Sequence, residues 1–294
     1  MKYNLAMEGN RVLQVATADG LFLHGYYLPS KERNKAVLHI HGFEGNFYEN
    51  SFVNAIATQL TENNTGFLTV NTRGNGKDTD FNTVDGKYRR VGSRYELLEE
   101  AHLDINAWIK FLISEGYKEI TLMGHSLGTM KIVRYLFEGE FKNKVEKLIL
   151  ISPFDKKSLD VLKNVESVED LISNAKNLVN EGKGEELVAL DNGKYVMSYQ
   201  TLLSWFNNDD LGRMFEFCTP DYEFPILRQI SIPTKIIVGS KDEHFHLSNP
   251  EHPEEAMEIL LKNIPDSKGI IIENARHSFR GFEETLAKEV CDFV

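Results

Sequence analysis

Apolar and polar positions alternate along residues 12–17 and again along 21–28, with Asp19-Gly20 between them. A period of two on either side of a turn-forming pair predicts a β-hairpin. Lys35–Ile40 and Gly66–Val70 are short apolar runs of the kind that form strands buried on both faces. The period lengthens to that of a helix over residues 52–60. It is clearest over 97–113, where Leu98, Ala101, Ile105, Trp108, Ile109 and Leu112 make one stripe. Residues 119–123 predict a strand and 129–137 a helix; Val145–Ile151 predicts another strand, ended by Ser152-Pro153. The rhythm then breaks. From Pro153 to Tyr222 there are helical stretches over 158–179, a charged loop over 181–186 and a hairpin signal at Asp191-Asn192-Gly193. A run rich in large apolar groups follows, with Trp205, Phe206, Met214, Phe215 and Phe217. After Pro233 the alternation resumes: strand 234–238, helix 253–264, strand 269–272 and helix 283–293.

Strands alternating with helices predict an α/β fold with a mainly parallel sheet covered by helices on both faces. The irregular middle reads as an insertion. The expected division is a core of residues 1–152 and 223–294 with an inserted cap at 153–222, lying over the strand ends where open α/β sheets bind ligands.

The five residues Gly124-His125-Ser126-Leu127-Gly128 fall at the strand-to-helix junction. A Gly-x-Ser-x-Gly in that position predicts a tight elbow that lifts a serine hydroxyl out of the sheet, with glycines where side chains would collide. An elbow serine needs a general base, and the base needs an orienting carboxylate; in chains of this kind they follow in the order Ser, acid, His. Asp242 stands after the strand Ile236-Ile237-Val238-Gly239, and His277 stands in the loop after Ile270-Ile271-Ile272. Both should project from the same sheet edge as Ser126. Asp155, just after the preceding strand, is the rival acid. His244 and His246 are rival bases, but they lie too near Asp242 in sequence to come readily from a separate loop. The developing negative charge needs two backbone donors. These are expected to be the N–H of Leu127 and, from the loop His41-Gly42-Phe43-Glu44-Gly45, the N–H of Phe43. His125, Trp205, Phe206, Phe215 and the ring of Phe43 are the expected pocket walls.

Charge and composition narrow the partners. A net charge of −11 over 294 residues argues against nucleic acid and against anionic membrane surfaces. No apolar run approaches a membrane span, and no apolar leader follows Met1, so the expectation is a cytoplasmic protein. The two cysteines, Cys218 and Cys291, have no metal or redox spacing. Two His-x-His pairs, His39/His41 and His244/His246, lack the further ligands that a zinc site needs. The loop Asn71-Thr72-Arg73-Gly74-Asn75-Gly76 lacks the Gly-Lys-Ser/Thr ending of a phosphate loop and reads as a structural turn. Neither a metal nor a cofactor is expected.

These residues together resemble the α/β-hydrolase superfamily over nearly the whole chain. The elbow, the His41-Gly42 loop, the Arg73-Gly74-Asn75-Gly76 loop, the Gly239-Ser240-Lys241-Asp242 loop and the His277 turn carry the likeness. The inserted cap resembles that of feruloyl-type carboxylesterases, and residues 92–155 are similar to fungal siderophore esterases. One departure stands out: where the Arg-Gly-x-Gly loop usually runs on to serine, this chain has Lys77-Asp78. The resemblance implies a serine hydrolase of a carboxylic ester, and the aromatic and methionine side chains of the cap point to a small-molecule substrate with an apolar or aromatic group. Amide, thioester and C–C bond hydrolysis use the same three residues and stay open. So do a catalytically silent ligand-binding protein and a cofactor-free oxygenase or peroxidase on the same fold.

Overall fold

The computed structural model describes residues 9, 11–156, 161, 165–206, 209–247 and 252–294. In chain order the elements are β1 (Arg11–Ala16), β2 (Phe22–Leu28), β3 (Lys35–Ile40), α1 (Phe52–Glu62), β4 (Gly66–Val70), β5 (Thr79–Asn82), β6 (Tyr88–Val91), α2 (Ala101–Ser114), β7 (Glu119–His125) and α3 (Leu127–Glu138). They continue as β8 (Val145–Ile151), α4 (Val168–Asn180), β9 (Leu187–Leu190), β10 (Tyr195–Ser198), α5 (Tyr199–Trp205), β11 (Thr234–Gly239), α6 (Pro253–Asn263), β12 (Ser267–Ile272) and α7 (Glu283–Cys291).

Eight strands form one sheet in the order β1-β2-β4-β3-β7-β8-β11-β12. From β4 to β12 every neighbouring pair is parallel, while β2 runs antiparallel to both β1 and β4. The predicted hairpin is therefore the antiparallel edge of an otherwise parallel sheet. The continuous apolar runs of the central strands follow from burial on both faces. In β8, Leu148 and Leu150 enter one core while Ile149 and Ile151 enter the other; in β11, Ile236 and Val238 oppose Ile237 in the same way. Trp108, Ile105 and Ile109 of α2 and Ile132 and Val133 of α3 fill the first core. Phe52 and Ile56 of α1 with Leu286 and Val290 of α7 fill the second. Each such side chain contributes roughly 1.5–3 kcal/mol by leaving water.

Between β8 and β11 the described residues form α4, the antiparallel hairpin β9–β10, and α5. They have a small core of their own, including Ala175, Leu190, Met197 and Leu202. Trp205, Met214, Phe215 and Phe217 instead join the main core. Ser198 starts α5 by accepting the N–H of Thr201 at 3.0 Å. Residues 158–179 were expected to be helical, but α4 begins only at Val168, where the hydroxyl of Ser167 accepts the N–H of Asp170 at 3.1 Å. Residues 158–160 and 162–164, near the start of that expectation, lie outside the described residues. The pair β5–β6 is not predicted by the pattern of apolar and polar positions. Its turn at Asp85-Gly86 was the available signal, but the flanking Thr79–Asn82 and Tyr88–Val91 are too polar to read as strands. No helix among the described residues is long and apolar enough to cross a membrane.

Candidate active site

Ser126 stands between the last residue of β7 and the first of α3 with φ 54° and ψ −124°. That backbone region is costly for any residue with a Cβ. The strain is held in place from three sides. The N–H of Ser126 donates to the carbonyl of Ile151 in the neighbouring strand at 2.9 Å. Its carbonyl accepts the N–H of Thr129 at 2.9 Å and the hydroxyl of Thr129 at 2.6 Å. The glycines allow the close approach that the elbow demands. A Cβ on Gly124 would lie 2.5 Å from the backbone of Gly128, and a Cβ on Gly128 would lie 2.3 Å from the carbonyl oxygen of Ile40. Backbone at that distance cannot swing aside as a flexible side chain does. Gly128→Ala is therefore expected to lower stability by about 2 kcal/mol or more, read as a drop in Tm or in the denaturation midpoint.

Asp242 and His277 come together from the carboxyl ends of β11 and β12. His277 Nδ1 donates to Asp242 Oδ1 at 2.9 Å. The two loops are stitched backbone to backbone. Lys241 N–H donates to the carbonyl of Ala275 at 2.9 Å, Ser240 N–H to Ile272 at 2.9 Å, and Asn274 N–H to the Ser240 hydroxyl at 2.7 Å. A Cβ on Gly239 would lie 2.2 Å from the Ala275 oxygen, so glycine is what lets the loops touch. Oδ1 of Asp242 also accepts the N–H of His244 at 3.0 Å, and the buried Ser152 hydroxyl lies beside the carboxylate. Ser152 follows the strand that binds Ser126, and its own N–H donates to Ile237 in β11 at 2.9 Å. One backbone chain thus links the elbow to the acid loop.

The electrostatics are those of a buried ion-pair-forming couple. Burial alone would raise the pKa of Asp242, whose side chain is fully buried. The charge and hydrogen bond of His277, with Ser152 and the His244 N–H, outweigh it and hold the carboxyl down at about 2. For His277, burial favours the neutral ring, but the charge and hydrogen bond of Asp242 and the charge of Glu243 prevail, and its pKa is raised above the ordinary 6.5.

The rival residues have other occupations. Asp155 is buried and accepts the N–H of Cys218 at 2.7 Å. His244 presents the edge of its ring to His277, with ring centres 4.8 Å apart. The backbone oxygen of His246 accepts the thiol of Cys218 at 3.3 Å. His39 and His41 are both fully buried, bonded to Thr69 and Thr72 respectively. Among the described residues, no three His, Cys, Asp or Glu side chains gather as a metal would require. Arg73 of the 71–76 loop is buried against Asp104 at 2.9 Å, with Glu100 and Asp19 as further partners, which fits a structural turn.

Gly42 of the expected oxyanion loop lies against the elbow: a Cβ there would be 2.9 Å from Ser126 Cβ and 3.4 Å from Oγ. The ring of Phe43 meets Trp205 edge-on at 5.1 Å and Tyr195 at 6.3 Å, so the loop and the segment between β8 and β11 are in contact. Phe215 is buried in the same core as Trp205, and Phe206 is packed against it. His125 has its own ring neighbours. Its ring packs on Phe52 and on His277, with centres 5.2 and 5.0 Å away, and its Nε2 donates to the His277 carbonyl at 2.9 Å. It braces the His277 loop from behind; burial, with the neighbouring His277 charge, depresses its pKa to about 3 and keeps it neutral. This brace was missed in the sequence, as was the Ser152 hydroxyl, because both depend on which strands become neighbours.

A family model described as "Protein of unknown function (DUF1749)" matches residues 91–294, and the chain belongs to that family. Sequence comparison with curated proteins gives no match. Solved structures similar to this one include the α/β hydrolase GrgF from Penicillium sp. sh18, at 16% identity and TM-score 0.68, covering 97% of each chain. The Saccharomyces cerevisiae monoglyceride lipase, solved with a substrate analogue, has 17% identity and TM-score 0.64, with 99% of this chain and 96% of that one covered. Est1E from Butyrivibrio proteoclasticus, solved with ferulic acid bound, has 17% identity and TM-score 0.62 over 96% of this chain and 97% of its own. The fold is the α/β-hydrolase fold.

Proposed function

We propose that this member of the DUF1749 family is a serine hydrolase that cleaves a small-molecule carboxylic ester through an acyl-enzyme. Ser126 is the nucleophile, His277 the general base and then the general acid, and Asp242 the group that orients His277. The observation that carries the reading is the 2.9 Å bond from His277 Nδ1 to a buried, ionised Asp242. That bond fixes the tautomer that leaves Nε2 as the basic nitrogen.

In the first half-reaction Ser126 Oγ bonds to the ester carbonyl carbon while its proton passes to His277. The carbonyl oxygen becomes an oxyanion, held by the N–H groups of Leu127 and Phe43. Leu127 is suited to this because the first N–H of a helix has no carbonyl partner within it. The tetrahedral adduct collapses, His277 gives its proton to the leaving alcohol, and an acyl-Ser126 remains. Water repeats the sequence, releasing the acid. The imidazolium formed at each step is stabilised by Asp242.

The inserted segment, residues 153–222, acts as a cap over this edge of the sheet. Trp205, Phe206 and Phe215, with the ring of Phe43, form its apolar wall and favour an ester with an apolar or aromatic acyl or alcohol group. Est1E, a protein of the same fold, is solved with ferulic acid bound, an aromatic acid of the kind such an ester would release. The test is hydrolysis of p-nitrophenyl and aryl-acryloyl esters under pre-steady-state conditions. The expected result is a burst of alcohol near one equivalent, followed by slower turnover, with kcat/KM rising with pH through an apparent pKa above 6.5. That sign follows from His277, whose raised pKa must be exceeded before the ring can accept a proton. No hydrolysis of any ester by folded protein would overturn the reading and favour a silent ligand-binding role.

A further inference from the structure

Behind the oxyanion loop lies a closed chain of polar groups that the reaction itself does not use. Lys131 of α3 and Glu96 of the loop before α2 form an ion pair at 2.6 Å, with side chains 0% and 1% exposed. Lys131 Nζ also donates to the Thr72 hydroxyl at 3.2 Å. Thr72 in turn meets His41: its backbone N–H donates to His41 Nε2 at 3.1 Å, and its hydroxyl lies 3.1 Å from the same atom. A backbone N–H can only donate, so His41 Nε2 carries no proton. The proton is therefore on Nδ1, which donates to the carbonyl of Gly42 at 2.8 Å.

That carbonyl and the N–H of Phe43 are the two ends of one peptide unit. All described peptides are trans, so the two groups point in opposite directions. Fixing the Gly42 oxygen toward His41 fixes the Phe43 N–H away from it. The same unit starts at Gly42, whose position against Ser126 leaves no room for a Cβ. A mid-helix lysine with no exposed surface is costly unless its position matters or its partners repay it.

We propose that Lys131, paired with Glu96, is a positioning residue for the oxyanion hole, acting through Thr72 and His41 to hold the Gly42–Phe43 peptide in its donating orientation. The inference rests on the reading of Phe43 as an oxyanion donor. The charge of Lys131 has a second effect. Burial comes first in keeping His41 neutral, and Lys131 comes next, with the neighbouring His39 and His125 adding smaller contributions and the Gly42 carbonyl opposing them. His39 and His125 are themselves held neutral by burial, at about 4 and about 3. Glu96 is the acidic group on the far side of Thr72. A protonated His41 would turn Nε2 into a donor facing the Thr72 N–H, and the chain would break.

The test compares wild type with Lys131→Met and with Lys131→Met/Glu96→Gln, the second variant leaving no unpaired buried charge should the first fail to fold. In Lys131→Met, kcat is expected to fall about 10- to 100-fold with KM within threefold, because a donor displaced by a fraction of an ångström is felt mainly in the transition state. Loss of the Lys131 charge should favour protonated His41 and add a second acidic limb to the kcat profile. The double variant, which also lacks the Lys131 ammonium, should show the same fall in kcat, and wild-type kcat in it would overturn the inference. A folded Lys131→Met protein with wild-type kcat and a single unchanged limb would overturn the inference while leaving the ester-hydrolase reading intact. Histidine ¹⁵N NMR gives a readout independent of turnover: His41 is expected to show a bare Nε2 and a protonated Nδ1 in wild type, and to titrate at higher pH in Lys131→Met. A protonated Nε2 in wild type, or no change in the variant, would refute the proposal even if no ester were hydrolysed.

Discussion

Ser126→Ala is expected to lower turnover of every ester substrate by about 10⁴- to 10⁶-fold while leaving the protein folded. In the proposed reaction the Ser126 hydroxyl oxygen forms the covalent bond to the acyl group. The methyl group that remains has the same backbone preferences as serine, so the φ of 54° is as strained in the variant as in the wild type and stability should change little. Ser126→Gly separates the two properties. It removes the nucleophile and also the Cβ that makes this conformation costly. Relief of roughly 1–3 kcal/mol of strain, less about 0.5–1 kcal/mol of added chain entropy in the unfolded state, leaves a net gain near 1 kcal/mol. For a chain of this size that is a rise of about 2 °C in Tm. An inactive variant more stable than its parent would mean that the elbow carries strain for the sake of chemistry. A destabilised Ser126→Gly would mean that the serine side chain contributes to the fold instead.

Asp242→Asn is the second large effect, with kcat expected to fall by about 10⁴-fold. The amide keeps the size of the carboxylate but loses its charge, so the imidazolium is no longer stabilised and His277 no longer has one enforced tautomer. The pH profile distinguishes this from simple disruption. In the wild type, burial works against protonation of His277 and Asp242 overcomes it, so the acidic limb is expected above 6.5. Without the carboxylate, burial is opposed only by Glu243, and the limb should move to lower pH. Stability follows the opposite groups with opposite signs. The raised pKa of His277 contributes stability at acidic pH that is lost as pH rises through that value. The depressed pKa of Asp242 contributes stability above about 3.8 that is lost as pH falls toward 2. The two together favour the folded pair at mildly acidic pH, which urea titrations of wild type and Asp242→Asn across that range would measure.

The parts of this protein that were legible in its sequence are those with short-range signatures. Continuous apolar runs such as Lys35–Ile40 mark strands buried on both sides, and the stripe through Trp108 marks a helix lying on a sheet. The elbow glycines mark a turn that only glycine allows, and the stations of Asp242 and His277 follow from strand order, because loops at the carboxyl ends of parallel strands share one edge. What was not legible depends on contacts between residues far apart in sequence. Lys131 sits in a helix buried from Leu127 to Tyr135, so no helical period distinguishes its side from any other. Its partner Glu96 is reached only after the chain has crossed a small hairpin whose polar strands gave no signal. His125 was expected to line the pocket from its place beside Ser126. Strand alternation turns it onto Phe52 and His277, contacts that its place beside Ser126 does not reveal.

Labelling with a fluorophosphonate, read by intact mass, asks whether Ser126 is an activated nucleophile. A single adduct is expected on the wild type, none on Ser126→Ala, and slow labelling on Asp242→Asn. An adduct that persists on Ser126→Ala, or its absence from a folded wild type that still binds aromatic esters, would contradict that role.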